Sequence, residues 1–174
     1  MNQSLAEYLH GREIRIIPVH TDTIGAPDIR VAPPEGWLEI GQDAMPGVYA
    51  AWANPSADGG GWADNVLVMV GRLTERVDSS ELMECAFVDS RRLPSWIEQS
   101  AEFVDCDGYR AATISGLYTG GELRVRTRTQ YLLIDVLDHD YLVQYTATVA
   151  ADSAAWDIID LPSPLSVVWP PRGC

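Results

Sequence analysis

Residues Ala111 to Ala150 leave this chain the fewest ways to fold. They read AATISGLYTG GELRVRTRTQ YLLIDVLDHD YLVQYTATVA. Thr119-Gly120-Gly121-Glu122 and Leu137-Asp138-His139-Asp140 part three runs rich in Val, Thr, Tyr, Leu and Ile. β-branched and aromatic residues favour extended backbone, and tight Gly- or Asp-containing turns reverse it. The stretch therefore predicts an antiparallel meander with the run from Glu122 to Val136 at its centre. A sheet of this size needs cover on at least one face, which the flanking segments must supply.

Those segments carry their own signals. Ser4 with Glu7 three positions later forms a capping box for a short helix whose apolar face is Leu5, Tyr8 and Leu9, closed by Gly11. Ile14 to Val19 predicts a strand, and His20 to Asp28 a linker. Ile29 to Ala32 predicts a second strand stopped by Pro33-Pro34-Glu35-Gly36, with Trp37 to Ile40 as its hairpin partner or extension. Gly47 to Ala53 and Asn65 to Leu73 make a further pair. The second of these, NVLVMVGRL, is nearly continuously apolar, as in a strand covered on both faces. Asp78 caps a helix that Val77 staples to Leu82. Glu102 to Cys106 enters the meander through Asp107-Gly108, a strong hairpin signal. After Ala150, Asp152 or Ser153 caps a helix holding Ala155, Ile158 and Ile159, and Leu165 to Trp169 closes the fold as an extended tail. Strands gathered apart from helices predict an α+β architecture, a single antiparallel twisted sheet flanked by helices. Residues 1–26 read as an N-terminal helix and linker, and residues 27–174 as the domain.

Charge narrows the range of functions. Twenty-five acidic residues against twelve basic ones give a net charge of -13, which disfavours nucleic acid or an anionic membrane as a partner. All the basic residues are Arg, so lysine Schiff-base chemistry is excluded as well. Cys85, Cys106 and Cys174 leave one thiol unpaired and fit no zinc spacing. They read as reduced, with a Cys85–Cys106 bridge as the alternative in an oxidising compartment. The opening residues carry no basic, apolar leader, and no run of about 20 apolar residues could span a membrane. As written, the chain is expected in the cytoplasm.

Several motifs resemble those of the LpqN-type lipoproteins of mycobacteria. They are Leu5-Ala6-Glu7-Tyr8-Leu9, Pro34-Glu35-Gly36-Trp37, Gly47-Val48-Tyr49, the run Asn65 to Leu73, Ile114-Ser115-Gly116-Leu117-Tyr118, and Tyr141-Leu142-Val143-Gln144-Tyr145-Thr146. The resemblance runs from about Ser4 to Trp169. It implies a PsbP-like fold, no enzyme activity, no cofactor, and a role at the cell envelope in binding lipid-like ligands or partner proteins. The leader and lipidated cysteine of that family have no counterpart at the start of this sequence, and Pro162 and Pro164 interrupt the closing helix.

Two constellations invite a binding role. Arg124, Arg126 and Arg128 alternate along the middle strand and so project from one face, where they would oppose Leu117, Ser115 and Thr113. They read either as an anion clamp or as a solvated charge row. Leu132 and Ile134 continue the same face as an oily end, the layout an amphipathic ligand would use. Trp62, beside the loop around Gly59-Gly60-Gly61, reads as a stacking surface or a core plug, and Trp52, inside a strand, as a core plug. Catalytic readings fare worse. Ser115-Gly116 lies in a strand and not in a nucleophile elbow. The glycine run lacks the Lys and Ser/Thr of a phosphate loop. Asp138-His139-Asp140 suits solvated turn chemistry. The expected function is therefore non-enzymatic: binding of an apolar or amphipathic small molecule, or alternatively a protein-interaction or secretion-chaperone module using the sheet edge or the Trp62 loop.

Overall fold

A computed structural model describes residues 3–55, 62–136, 138–159 and 165–168. Pro162, Pro164, Trp169, Cys174 and the run from Gly59 to Gly61 lie outside them. Helix α1 (Leu5–Gly11) leads to β1 (Ile16–Pro18), β2 (Asp28–Val31), β3 (Leu38–Glu39), β4 (Ala50–Ala53) and β5 (Asn65–Leu73). Helices α2 (Ser79–Cys85) and α3 (Val88–Arg91) follow. Next come the long strands β6 (Ile97–Cys106), β7 (Tyr109–Gly120), β8 (Leu123–Val136) and β9 (His139–Ala150), then α4 (Trp156–Ile159) and β10 (Leu165–Val168).

The meander forms as its turns dictate. Asp107 (φ 54°) and Gly108 (φ 83°) both take left-handed backbone, the geometry that turns β6 into β7 in two residues. Gly121 (φ 65°) does the same between β7 and β8. The main sheet has eight strands. Seven follow the order β3-β4-β5-β9-β8-β7-β6, all antiparallel, and β1 joins the free half of β5. This is the expected α+β architecture.

Alternation along the strands sorts the core into two layers. One face buries Ala112, Ile114, Tyr131, Leu133 and Leu142 under Leu5, Tyr8, Leu9, Leu82, Met83 and Phe87 from the α1–α3 side. Caps fix those helices. Ser4 Oγ accepts the Glu7 N–H while Glu7 accepts the Ser4 N–H at 2.7 Å, and Asp78 accepts from Ser80 and Glu81. Arg92 hydrogen-bonds Glu7 and, with the Ser4 N–H, holds its carboxyl down to about 2. The opposite face buries Val66, Val68, Val70, Leu132, Ile134, Val143 and Val149 under Val19, Ile29, Ala155, Trp156 and Leu165. Each such side chain contributes about 1.5–3 kcal/mol by leaving water.

Four sequence expectations change. First, β2 pairs with β10 in a separate two-stranded sheet, while β3 pairs with β4. The Pro33–Gly36 turn carries the chain from one layer to the other and makes no hairpin. This small sheet helps cover the second face, and the Tyr49 hydroxyl receives the Ile29 N–H to tie it down. Second, β5 is buried along one face, while the other is open at Met69 and buried at its Gly71–Leu73 end. Third, β6 begins upstream at Ile97, with a bulge between Glu98 and Ser100. Its exposed residues lack the apolar period that would have announced it. Fourth, Asp140 is buried: its Oδ2 accepts the Val77 N–H at 2.8 Å and Arg76 lies 3.4 Å from Oδ1. Cys85 and Cys106 are free thiols in opposite core layers, so no bridge joins them.

Candidate functional site

On β8 the arginine row does share one face. Its register differs from the simplest expectation by two residues. Arg124 opposes Thr119, Arg126 opposes Leu117, and Arg128 opposes Ser115. The tight turn at Gly121 consumes fewer residues than a four-residue loop would. Nor is the row uniformly solvated. Arg124 is exposed, Arg126 half-buried, and Arg128 only 7% exposed, so the strand carries its charge progressively into the space between the layers.

Gln130 continues the row inward, with Thr113 directly opposite it, and the two are 2% and 3% exposed. Among the described residues, Gln130 Oε1, Thr113 Oγ1 and Arg126 Nε are buried polar atoms without a hydrogen-bond partner. Leaving such an atom unpaired costs about 1–3 kcal/mol. Neighbouring polar groups are better served. Ser115 and Ser100 share a hydroxyl hydrogen bond at 2.7 Å beside Arg128. Tyr145, opposite Gln130, has its hydroxyl pKa pushed up to about 12 by burial, with the Arg128 charge opposing the shift. Period-two alternation from Arg128 would have found Gln130 in the sequence. Nothing in sequence marks Thr113 as its partner until the register is known.

Leu132 and Ile134 are fully buried core residues, packed with Val143 and Val70, so the oily end of the row is closed. Trp62 is half-buried, and its indole N–H has no partner among the described residues. Trp52 packs against the same core layer as Leu132.

Among the described residues, two cavities stand out. One of about 340 Å³ is lined by Glu35, Gly36, Trp37, Asn54, Ser153, Ala154 and Ala155. It sits past the end of β9, which is the end of the sheet where β8 begins, and thus at the arginine end of the molecule. Asp64 shapes its rim, accepting the Ala150 N–H at 2.7 Å and the Ser153 hydroxyl at 2.6 Å. The other, of about 250 Å³, is apolar and lies over Met69, Gly71, Leu142 and Gln144 beneath Ile16 and Pro18. Both are smaller than, or at the lower limit of, the volumes usual for drug-sized ligands. Among the described residues no three His, Cys, Asp or Glu side chains gather to hold a metal ion, and no helix is long and apolar enough to cross a membrane.

Comparison with known proteins sets this geometry in context. The structure superposes on the crystal structure of LpqN involved in cell envelope biogenesis of Mycobacterium tuberculosis with a TM-score of 0.83. That match has 18% identity over 96% of this chain and 98% of the other. A proline-rich 28 kDa antigen homolog of Mycobacterium leprae is 24% identical over 90% of this chain and 56% of its own length. The proline-rich 28 kDa antigen of Mycobacterium tuberculosis is 21% identical over 88% of this chain and 49% of its own. The chain thus spans about half the length of the curated relatives it matches. A family model described as probable lipoprotein LpqN matches residues 1–161, almost the whole sequence, and the chain accordingly belongs to the LpqN lipoprotein family.

Proposed function

We propose that this domain is a non-enzymatic binding module of the cell envelope that takes an amphipathic, lipid-like small molecule with an acidic or strongly polar head. The observation that carries the proposal is the pair of opposed, buried and unpartnered oxygens, Gln130 Oε1 and Thr113 Oγ1, at the inner end of an arginine row. Native folds rarely leave such atoms unsatisfied, and a head that bears hydroxyls would donate to Gln130 Oε1 while its oxygens accept from the Thr113 hydroxyl. Arg124 and Arg126 form the outer, less buried part of the row, and guanidinium groups suit carboxylate or phosphate. With Leu132 and Ile134 sealed, the apolar part of the ligand would lie toward Trp37 and Ala155 in the cavity at that end of the sheet. Trp62 is a further candidate to cover it. The envelope setting is suggested by the Mycobacterium tuberculosis relative of the same fold.

Native mass spectrometry of the protein purified from an actinobacterial host tests the reading directly. A retained lipid mass is expected. The Arg124→Ala/Arg126→Ala variant should bind a fluorescent lysophosphatidic acid at least about tenfold more weakly, because charge-assisted hydrogen bonds contribute about 1.5–3 kcal/mol each. A protein that arrives empty, together with a double variant that binds the probe as well as wild type, would overturn it.

A further inference from the structure

The two ends of the main sheet are finished differently. At one end β3 is two residues long, and β1 and β4 divide the outer edge of β5 between them. At the other end β6 runs ten residues and pairs with β7 on one side, and no strand among the described residues pairs with its other side. An open strand edge presents unpaired N–H and C=O groups to any extended chain that can align with them.

Natural edges are usually defended, and β6 is defended over part of its length. The bulge between Glu98 and Ser100 breaks the ladder at the Ile97 end, where Trp96 and the Ile97 carbonyl press onto Gly116. From Ser100 to Cys106 the pairing is regular, so this stretch keeps a straight edge. Its side chains are specific. By register, Glu102 and Val104 share one face of the sheet, and Ala101, Phe103 and Asp105 the other. Phe103 is 50% exposed and is held by Phe87, whose ring centroid lies 5.2 Å away. Glu102 and Asp105 are exposed, and no basic residue occurs in the strand.

We infer that the Ser100–Cys106 edge of β6 is a strand-addition site for an extended basic peptide of a partner protein. The peptide would carry cations at the positions opposite Glu102 and Asp105, with apolar residues between them to meet Phe103 and Val104. Main-chain hydrogen bonds would give the affinity, and the charge–apolar–apolar–charge spacing the selectivity. A second copy of this chain is the poorer occupant, because it brings an equally acidic strand and a net charge of -13 to its twin. The inference is independent of the ligand proposed above, whose residues lie between the layers and not on this edge.

The test uses the full chain and a fluorescent decapeptide with the core Arg-Val-Val-Arg. Binding should slow amide hydrogen exchange along Ser100–Cys106 and leave β4 unchanged. Glu102→Arg with Asp105→Asn, the Asn keeping the acceptor for the Gly108 N–H, should weaken the peptide about tenfold. The same variant should bind a Glu-Val-Val-Glu peptide better than wild type does. Three results would each overturn the inference: no peptide binding, binding without protection of β6, or binding indifferent to the charge exchange. Protection of those amides that grows with protein concentration and no peptide would also overturn it, in favour of self-pairing.

Discussion

The two faces of β8 handle polarity in opposite ways. On the helix-covered face, Thr127 donates to the Ala147 carbonyl at 3.1 Å and meets Thr148, while Thr129 meets Thr146, which also receives the Gln144 amide at 3.3 Å. Hydroxyls there saturate one another across the β8–β9 pair. One residue along, on the other face, Gln130, Thr113 and Arg126 keep atoms that nothing among the described residues satisfies. Strand, pleat and degree of burial are shared, so the difference lies in the cross-strand neighbours. Threonines opposite threonines close a local network, whereas Gln130 lies between Thr113 and Tyr145. A row of polar residues is thus informative about binding only when its own neighbours fail to complete it.

The largest effect that could break this comparison is in the core. Leu132 and Leu133 are buried on opposite faces of β8. Leu132→Ala and Leu133→Ala should each cost about 2–5 kcal/mol in denaturant unfolding. A much smaller loss at Leu132 would mean that the two-stranded cover packs loosely and that the faces differ in closure as well as in polarity. A smaller but sharper contrast is one of sign. Thr113→Val with Gln130→Leu removes the unsatisfied oxygens and should leave stability unchanged or raise it by about 1 kcal/mol. Thr129→Val with Thr146→Val removes a made hydrogen bond and should lower stability by about 1 kcal/mol. Equal signs in the two melts would erase the distinction.

The last contrast appears only in alkali. Burial pushes both Tyr131, on the helix face, and Tyr145, on the other, up to about 12 from an unfolded value near 10. Each favours the folded state fully below pH 10, and that contribution is lost as pH rises from about 10 through 12, where the unfolded phenols ionise first. Unfolding midpoints followed by tyrosinate absorbance should fall across that window. Tyr131→Phe and Tyr145→Phe should each flatten the fall.

Local chemistry was legible in the sequence, and long-range partnership was not. The capping box at Ser4, the Asp78 cap and the Asp107-Gly108 turn each rest on residues within a few positions, and each forms as expected. Only a partner distant in sequence decides that β2 lies against β10, that Arg128 is buried while Arg124 is not, or that Gln130 faces Thr113. The same limit hid the first half of β6, upstream of Glu102. Its residues mix acidic, polar and apolar side chains with no regular period and little burial, because the strand belongs to an edge.

The pairing of β2 with β10 also orders events in time. β2 and β10 flank nearly the whole main sheet in sequence, so their pairing is a long-range closure of the kind that forms late in folding. Until that closure Leu165 is missing from the layer that holds Leu132 and Val143, and this half of the core is incomplete.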